Sequence, residues 1–212
     1  MSILLSSFLF LACESEIDNK PQAEIKPVSE KLEKQETVAA VKSAVAVGGL
    51  SLKNDTKIGG LSLKNDTKIG FVGAKLTGDH SGEFKKFSGS AEVKDGKVIS
   101  LIADIDLASV ETDHPKLTGH LKHADFFDVE KYTTSTFTST KIEDAKISGI
   151  LDFHGVKNEI SFPAEITVSG DDIKIVANFS INRQLWKLSY PGKKDDAIKD
   201  DVLIKLNAHY AK

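Results

Sequence analysis

The run Glu159-Ile160-Ser161-Phe162-Pro163-Ala164-Glu165-Ile166-Thr167-Val168 decides the fold class. Its even positions, Ile160, Phe162, Ala164, Ile166 and Val168, are apolar, while Glu159, Ser161, Glu165 and Thr167 between them are polar. A period of two belongs to an extended chain with one face on a core and the other in water. The same period recurs outward from this run. Ile99, Leu101, Ala103, Ile105 and Leu107 share a face, as do Ala145, Ile147, Gly149, Leu151 and Phe153. Ile173, Ile175, Ala177, Phe179 and Ile181 form another such face, and Val202, Ile204, Leu206, Ala208 and Tyr210 the last. With residues 69–76, 87–93 and 134–142 this gives about eight strands, separated by turn pairs such as Asp95-Gly96, His154-Gly155 and Gly170-Asp171. Only residues 115–129 read as helix, with Pro115 at the start and Leu117, Leu121 and Phe126 at helical spacing. The predicted class is all-β. Eight antiparallel strands with one apolar face each form a sandwich or a barrel, and a barrel of that size just holds one small ligand.

Composition places this domain in the last two-thirds of the chain. The 212 residues suffice for one domain of ordinary size or two small ones. Residues 14–66 contain no aromatic side chain, whereas nine of the eleven Phe fall between Phe71 and Phe179. A net charge of −3 gives no general attraction to nucleic acid. The basic residues are lysines except for Arg183.

The amino terminus reads as an export and anchoring segment. Residues 3–12 are an apolar run too short to span a bilayer as a helix and suited to the centre of a secretory signal. The single cysteine, Cys13, closes the run and is followed by Glu14, Glu16 and Asp18. The order Phe10-Leu11-Ala12-Cys13 resembles a bacterial lipoprotein signal, which implies removal of residues 1–12, a palmitate-type acylation of Cys13 and a membrane anchor in the cell envelope. A plain secretory signal with a chance cysteine, or a cysteine buried in a short core segment, are the alternatives. From Glu14 to Lys42 the chain carries seven acidic and five basic residues and few large apolar groups, the composition of a disordered tether. Residues 48–58 read GGLSLKNDTKI and residues 59–69 repeat it letter for letter. Two copies are too few for a repeat architecture, and only the second runs on into the strand pattern. The expected division is a signal over 1–12, an acylated Cys13 with tether over 13–61, and a barrel over 62–212.

One further stretch carries a resemblance. Leu117-Thr118-Gly119-His120-Leu121-Lys122-His123-Ala124-Asp125-Phe126-Phe127-Asp128-Val129-Glu130-Lys131-Tyr132 resembles the signature of the YceI-like polyisoprenoid-binding family. Residues 71–78, 136–139, 149–157 and 179–183 agree with that family in the same order. The resemblance implies a lipocalin-like antiparallel barrel, exported to the periplasm, that holds a long isoprenoid or other amphiphilic chain in its lumen. Isoprenoid quinones, prenyl phosphates and fatty amphiphiles all fit that description. Thr133 and residues 184–188 depart from the family pattern, and the second departure bears on one rim of the pocket.

The ligand-binding set expected from these readings is Phe71, Phe84, Phe126, Phe127, Phe137, Leu151, Phe153, Phe162, Phe179, Ile181, Arg183 and Trp186. Inward rings give an apolar lumen with bulky walls, unless they fill the barrel and leave no cavity. Successive helical residues do not share a face, so one of Phe126 and Phe127 is expected to plug the barrel end and the other to pack on flanking strands. Arg183 falls formally inward and needs a carboxylate, with Asp200 or Asp201 nearest in sequence, or else a ligand phosphate. His114, His120 and His123 invite a metal-dependent hydrolase reading, but no cysteine and no zinc-hydrolase motif accompanies them. No nucleophile elbow or phosphate-cradling glycine loop is present, so a non-catalytic carrier without cofactor is expected. A surface β-domain that binds another protein is the remaining alternative, and an exposed strand edge would let two barrels pair as a homodimer.

Overall fold

A computed structural model describes residues 15–28, 59–193 and 196–212. These residues form one antiparallel sheet system: β1 (Glu24–Pro27), β2 (Gly59–Leu63), β3 (Lys68–Lys75), β4 (Gly78–Phe84), β5 (Phe87–Lys94), β6 (Lys97–Asp106), β7 (Val110–Thr112), β8 (Thr134–Glu143), β9 (Lys146–Phe153), β10 (Val156–Pro163), β11 (Glu165–Ser169), β12 (Asp172–Asn182), β13 (Gly192–Lys193) and β14 (Asp196–Ala211). The all-β, lipocalin-like architecture follows the period-two runs. Tight hairpins fall where left-handed pairs allow them, at Asp95-Gly96 (φ 52° and 73°) and His154-Gly155 (φ 50° and 71°).

Two expectations are corrected. Fourteen strands replace eight among the described residues, and the sheet is not a closed hydrogen-bonded ring. Both differences come from strands that change partner. The run over residues 159–168 is two strands: residues up to Pro163 pair with β9, and those from Glu165 pair with β12. Pro163 has no N–H to donate, which suits it to the point where the ladder breaks. The outcome is a seam, because no ladder joins β10 to the C-terminal half of β12. In the same way β14 pairs with β2 at one end and β3 along the rest, and β4 and β7 follow β3 as a side leaf.

The seam is filled by residues expected to be disordered tether. β1 lies antiparallel to β10, with Ile25 opposite Ile160. One step earlier the chain bonds to β12: Ala23 N–H donates to the Ser180 carbonyl at 2.9 Å, and Ser180 N–H donates to the Pro21 carbonyl at 3.0 Å. Ala23 belongs to the main core and Ile25 packs against it. Upstream, Ile17 is buried on the outer face of the sheet with Val72, Ala74 and Leu203. Ion pairs fasten this strap along its length, Glu16 to Lys205, Asp18 to Lys199 and Glu24 to Lys146. Composition alone reads residues 15–28 as tether because their apolar residues are few and their charges many. Those charges have partners spread over the barrel, which a local window does not contain. At the other end of the tether, β2 begins at Gly59, three residues before the expected start of the domain, and Leu61 is buried. The first repeat copy lies outside the described residues, as does Cys13.

Among the described residues the α-helix is α1 (Pro115–Lys122), at one end of the sheet system. It is shorter than the expected 115–129, because Phe127 N–H turns back to the Leu121 carbonyl at 3.0 Å and Asp128 takes a positive φ of 48°.

Candidate functional site

The inward faces of the strands do not meet in the middle. They enclose a cavity of about 740 Å³, within the range of lipid- and drug-sized sites. Leu101, Ala103, Ile105 and Leu107 of β6 and the segment after it line it, with Ile175, Phe179 and Ile181 of β12 and Val202, Ile204, Leu206, Ala208 and Tyr210 of β14. Several of these walls, among them Phe137, Leu151, Phe153 and Ile204, are only partly buried although they point into the barrel. The rings therefore do not fill the lumen.

Eleven of the twelve expected site residues stand on this wall: Phe71, Phe84, Phe126, Phe127, Phe137, Leu151, Phe153, Phe162, Phe179, Ile181 and Arg183. The aromatic ones form two tiers. In the upper tier Phe127 is the hub, with ring centroids 6.5 Å from Phe71, 6.1 Å from Phe84, 6.3 Å from Phe126 and 5.5 Å from Phe153. In the lower tier Phe162 stacks on Phe179 at 4.1 Å and meets Phe137 at 5.9 Å. Phe126 and Phe127 both face the cavity, contrary to the expected division of labour, because they sit in the turn after α1 rather than on a helix. Two glycines seat the rings. An added Cβ at Gly82, paired with Phe71, would lie 2.4 Å from that ring, and one at Gly149 would lie 2.4 Å from Phe137. No side chain other than hydrogen fits beneath either ring without moving it.

Trp186 departs from the expected set. It is fully buried in the main core cluster, its Nε1–H directed at the Leu151 carbonyl at 3.3 Å, and it lies behind the wall instead of on it. A short 3-10 turn over Arg183–Trp186 swings the ring away from the inward side of β12.

Arg183 reaches the cavity, but its nitrogens are engaged. Nε–H donates to the Lys199 carbonyl at 3.1 Å, one Nη to the Leu188 carbonyl, and the other to the Ile198 carbonyl at 3.4 Å and to Asp200 at 3.3 Å. The guanidinium is nearly buried, and desolvation lowers its pKa against the opposing pull of Asp200. Asp200 is thus the carboxylate partner, and three backbone carbonyls complete a pin between the 3-10 turn and β14.

The histidines separate. His120 bonds Asp125 at 2.8 Å and lies 4.8 Å, ring to ring, from Tyr190; His80 bonds Asp113 at 3.0 Å and lies 6.4 Å from His114. His123 lies away from the cavity wall and is exposed. Among the described residues no group of three His, Cys, Asp or Glu is placed to hold a metal ion. Tyr190 is a wall residue the sequence did not flag, with its ring 5.2 Å from Phe126. It lies in an irregular segment where no period exists to read. Burial raises the pKa of the Tyr210 phenol, which points toward the Ile102 carbonyl at 3.4 Å near the deep end of the cavity.

The chain is similar to known proteins. Protein YceI of Escherichia coli is 34% identical over 97 residues, 43% of this chain and 52% of that protein. A UPF0312 protein of Vibrio cholerae is 32% identical over 98 residues with the same coverage. The chain spans about half the length of the curated relatives it matches. BcnA of Burkholderia cenocepacia superposes with a TM-score of 0.60 at 23% identity, covering 68% of this chain and 95% of that one. A polyisoprenoid binding domain from Saccharophagus degradans gives 0.59 at 18% identity, covering 73% and 99%. At those identities the two structures establish a shared fold. The model of the YceI-like domain matches residues 61–210, a span that contains α1 and the whole cavity wall, and the chain belongs to the YceI-like domain family.

Proposed function

We propose that this chain binds a long isoprenoid or other amphiphilic lipid in its lumen and carries or sequesters it without chemical transformation. The observation that carries the reading is the open, ring-lined cavity of about 740 Å³. An apolar chain entering it leaves water at roughly 0.8 kcal/mol per buried CH₂, which holds a multi-isoprene tail without any polar contact. The Saccharophagus degradans domain is a polyisoprenoid binding domain, and that ligand class suits this lumen. Native mass spectrometry after gentle purification tests the proposal: a co-purified long-chain lipid is expected. A ligand-free protein that takes up no prenyl alcohol on addition contradicts it.

The reading includes export and acylation of Cys13 in the cell envelope. Ser15, two residues downstream, donates its hydroxyl to Asp79 at 3.0 Å, beside His80 on the cavity wall. Two residues span at most about 7 Å, so an acyl chain on Cys13 would hold this end of the barrel against a membrane surface. Metabolic labelling with an alkyne palmitate analogue is expected to mark the chain and to fail with Cys13→Ser. Labelling that survives the substitution, or no change in mobility on blocking lipoprotein signal peptidase, contradicts the anchor.

A further inference from the structure

The lumen has two unlike ends, and β14 runs from one to the other. Its first wall residue, Ile198, packs against the cluster that holds Leu121 of α1, and at that end the wall residues His114 and Lys116 are exposed. Its last wall residue, Tyr210, is buried and belongs to the main core cluster. β12 stops lining the lumen at the same level. Ile175 is on the wall, whereas Ile173, which pairs with Tyr210 across the ladder, is fully buried and off it. A tail entering at the α1 end therefore runs down β14 past Val202, Leu206 and Ala208 and meets Tyr210 last.

The Tyr210 side chain lies across this end. Round the sheet, β14 is followed by β2, β5 and β6, yet the Tyr210 phenol is directed at the Ile102 carbonyl of β6 at 3.4 Å. The side chain thus passes two intervening strands as a chord of the barrel. Gly89 on β5 leaves its path clear, standing opposite the wall residue Ala103 and turning a bare face to the lumen. The Ile102 carbonyl leans over that glycine, where an added Cβ would collide with it. Burial keeps the phenol protonated, so its hydroxyl donates to the carbonyl and the ring is fixed at both ends.

We infer that Tyr210 is the floor of the lumen and fixes the longest tail the protein can enclose. Such a floor rests on the lumen binding proposed above and adds a length limit to it. Each isoprene unit takes five carbons out of water, so affinity rises with tail length until the tail reaches this crossbar. A further unit either pushes the ring out of a closely packed end or leaves carbons in water at the α1 end, and neither adds affinity. The six-carbon ring and one isoprene unit are of similar size, so removing the ring makes room for about one more unit.

A series of prenols reads the limit. Prenols of two to nine isoprene units are offered in neighbouring pairs to the delipidated full chain, and native mass spectrometry records the ratio retained. In the wild-type protein each added unit is expected to improve retention about tenfold or more up to one length, and to add nothing beyond it. In Tyr210→Ala that break should fall one unit later. Ala208→Phe, which adds a ring on the wall one inward position above an intact Tyr210, should bring it one unit earlier and serves as the second variant. Circular dichroism checks that each variant is folded. A tyrosine that only supports the fold weakens all lengths alike, so a break left at the wild-type length in folded Tyr210→Ala and Ala208→Phe overturns the floor. Retention that still rises at nine units in the wild-type protein overturns it too, while leaving lumen binding standing. Binding of no prenol at any length overturns the lumen proposal itself.

Discussion

Ala23 and Ser180 are 157 positions apart in the chain and share a 2.9 Å backbone hydrogen bond that ties the amino-terminal strap to β12. That bond, with the β1 to β10 ladder beside it, fills the gap between β10 and the C-terminal half of β12, which no direct strand pairing bridges among the described residues. The strap lies outside the family match at 61–210, so this chain supplies its own seam closure from a segment the domain pattern does not include.

Removing residues 15–28 should lower the melting temperature by several degrees, because Ile17, Ala23 and Ile25 lose their packing and the seam is left open. Ile17→Ala alone should cost about 2 kcal/mol, at the low end for burying an aliphatic side chain of this size, measured by urea denaturation. Deleting residues 48–58, the first repeat copy, should leave both stability and ligand binding nearly unchanged. Equal effects of the two deletions would show that the strap contributes nothing specific.

Arg183→Met should destabilise the fold by roughly 2–4 kcal/mol, since it strands the carbonyls of Leu188, Ile198 and Lys199 that the guanidinium now satisfies. Its effect on a prenyl phosphate and on the corresponding alcohol should be the same. A selective loss of phosphate binding would assign Arg183 a direct contact with the ligand.

Gly149→Ala should displace the Phe137 ring, because the new Cβ would meet it at 2.4 Å and the Thr138 carbonyl at 2.5 Å. Overpacking of this kind costs about 1–3 kcal/mol. Binding of a long-chain probe should weaken along with stability as the lower aromatic tier shifts. An unaltered melting curve would show that the ring has room to move.

His209 holds Asp66 on Nδ1 at 2.8 Å and Asp172 on Nε2 at 2.7 Å, joining the turn before β3, β14 and the start of β12. The bond to Asp172, then that to Asp66, raises its pKa above the usual 6.5, while His209 lowers that of Asp66 below 3.8. A raised histidine pKa stabilises the fold fully below about 6.5 and the contribution is lost as pH rises through the folded-state value. The lowered Asp66 pKa works oppositely, its contribution being lost as pH falls below 3.8. Stability should therefore decline from mildly acidic to alkaline pH, and His209→Asn should flatten that slope in melting temperatures measured across the range. An unchanged slope would show that other groups set it.

Much of this architecture is legible in the sequence because period-two alternation is a local signal. Ile160 and Phe162, or Val202 through Tyr210, declare their face without reference to any other strand. The turn pairs Asp95-Gly96 and His154-Gly155 are likewise local. What escapes is whatever depends on distant partners. The strap is one case, its charges being answered by Lys146, Lys199 and Lys205. The split at Ala164 is another, because which strand a residue pairs with leaves no mark on its own alternation. Trp186 and Tyr190 show the same limit within the site. Both sit in irregular chain after β12, where one ring turns behind the wall and the other joins it.

If a lipid tail occupies the lumen, filling the lumen should exclude it. Ala103 lies on the wall midway along β6, with space in front of it. Calorimetric titration of the delipidated protein with geranylgeraniol should give one site per chain, and Ala103→Trp, folded by circular dichroism, should abolish the binding heat. Unimpaired binding by the folded Ala103→Trp protein would place the lipid elsewhere and contradict the account.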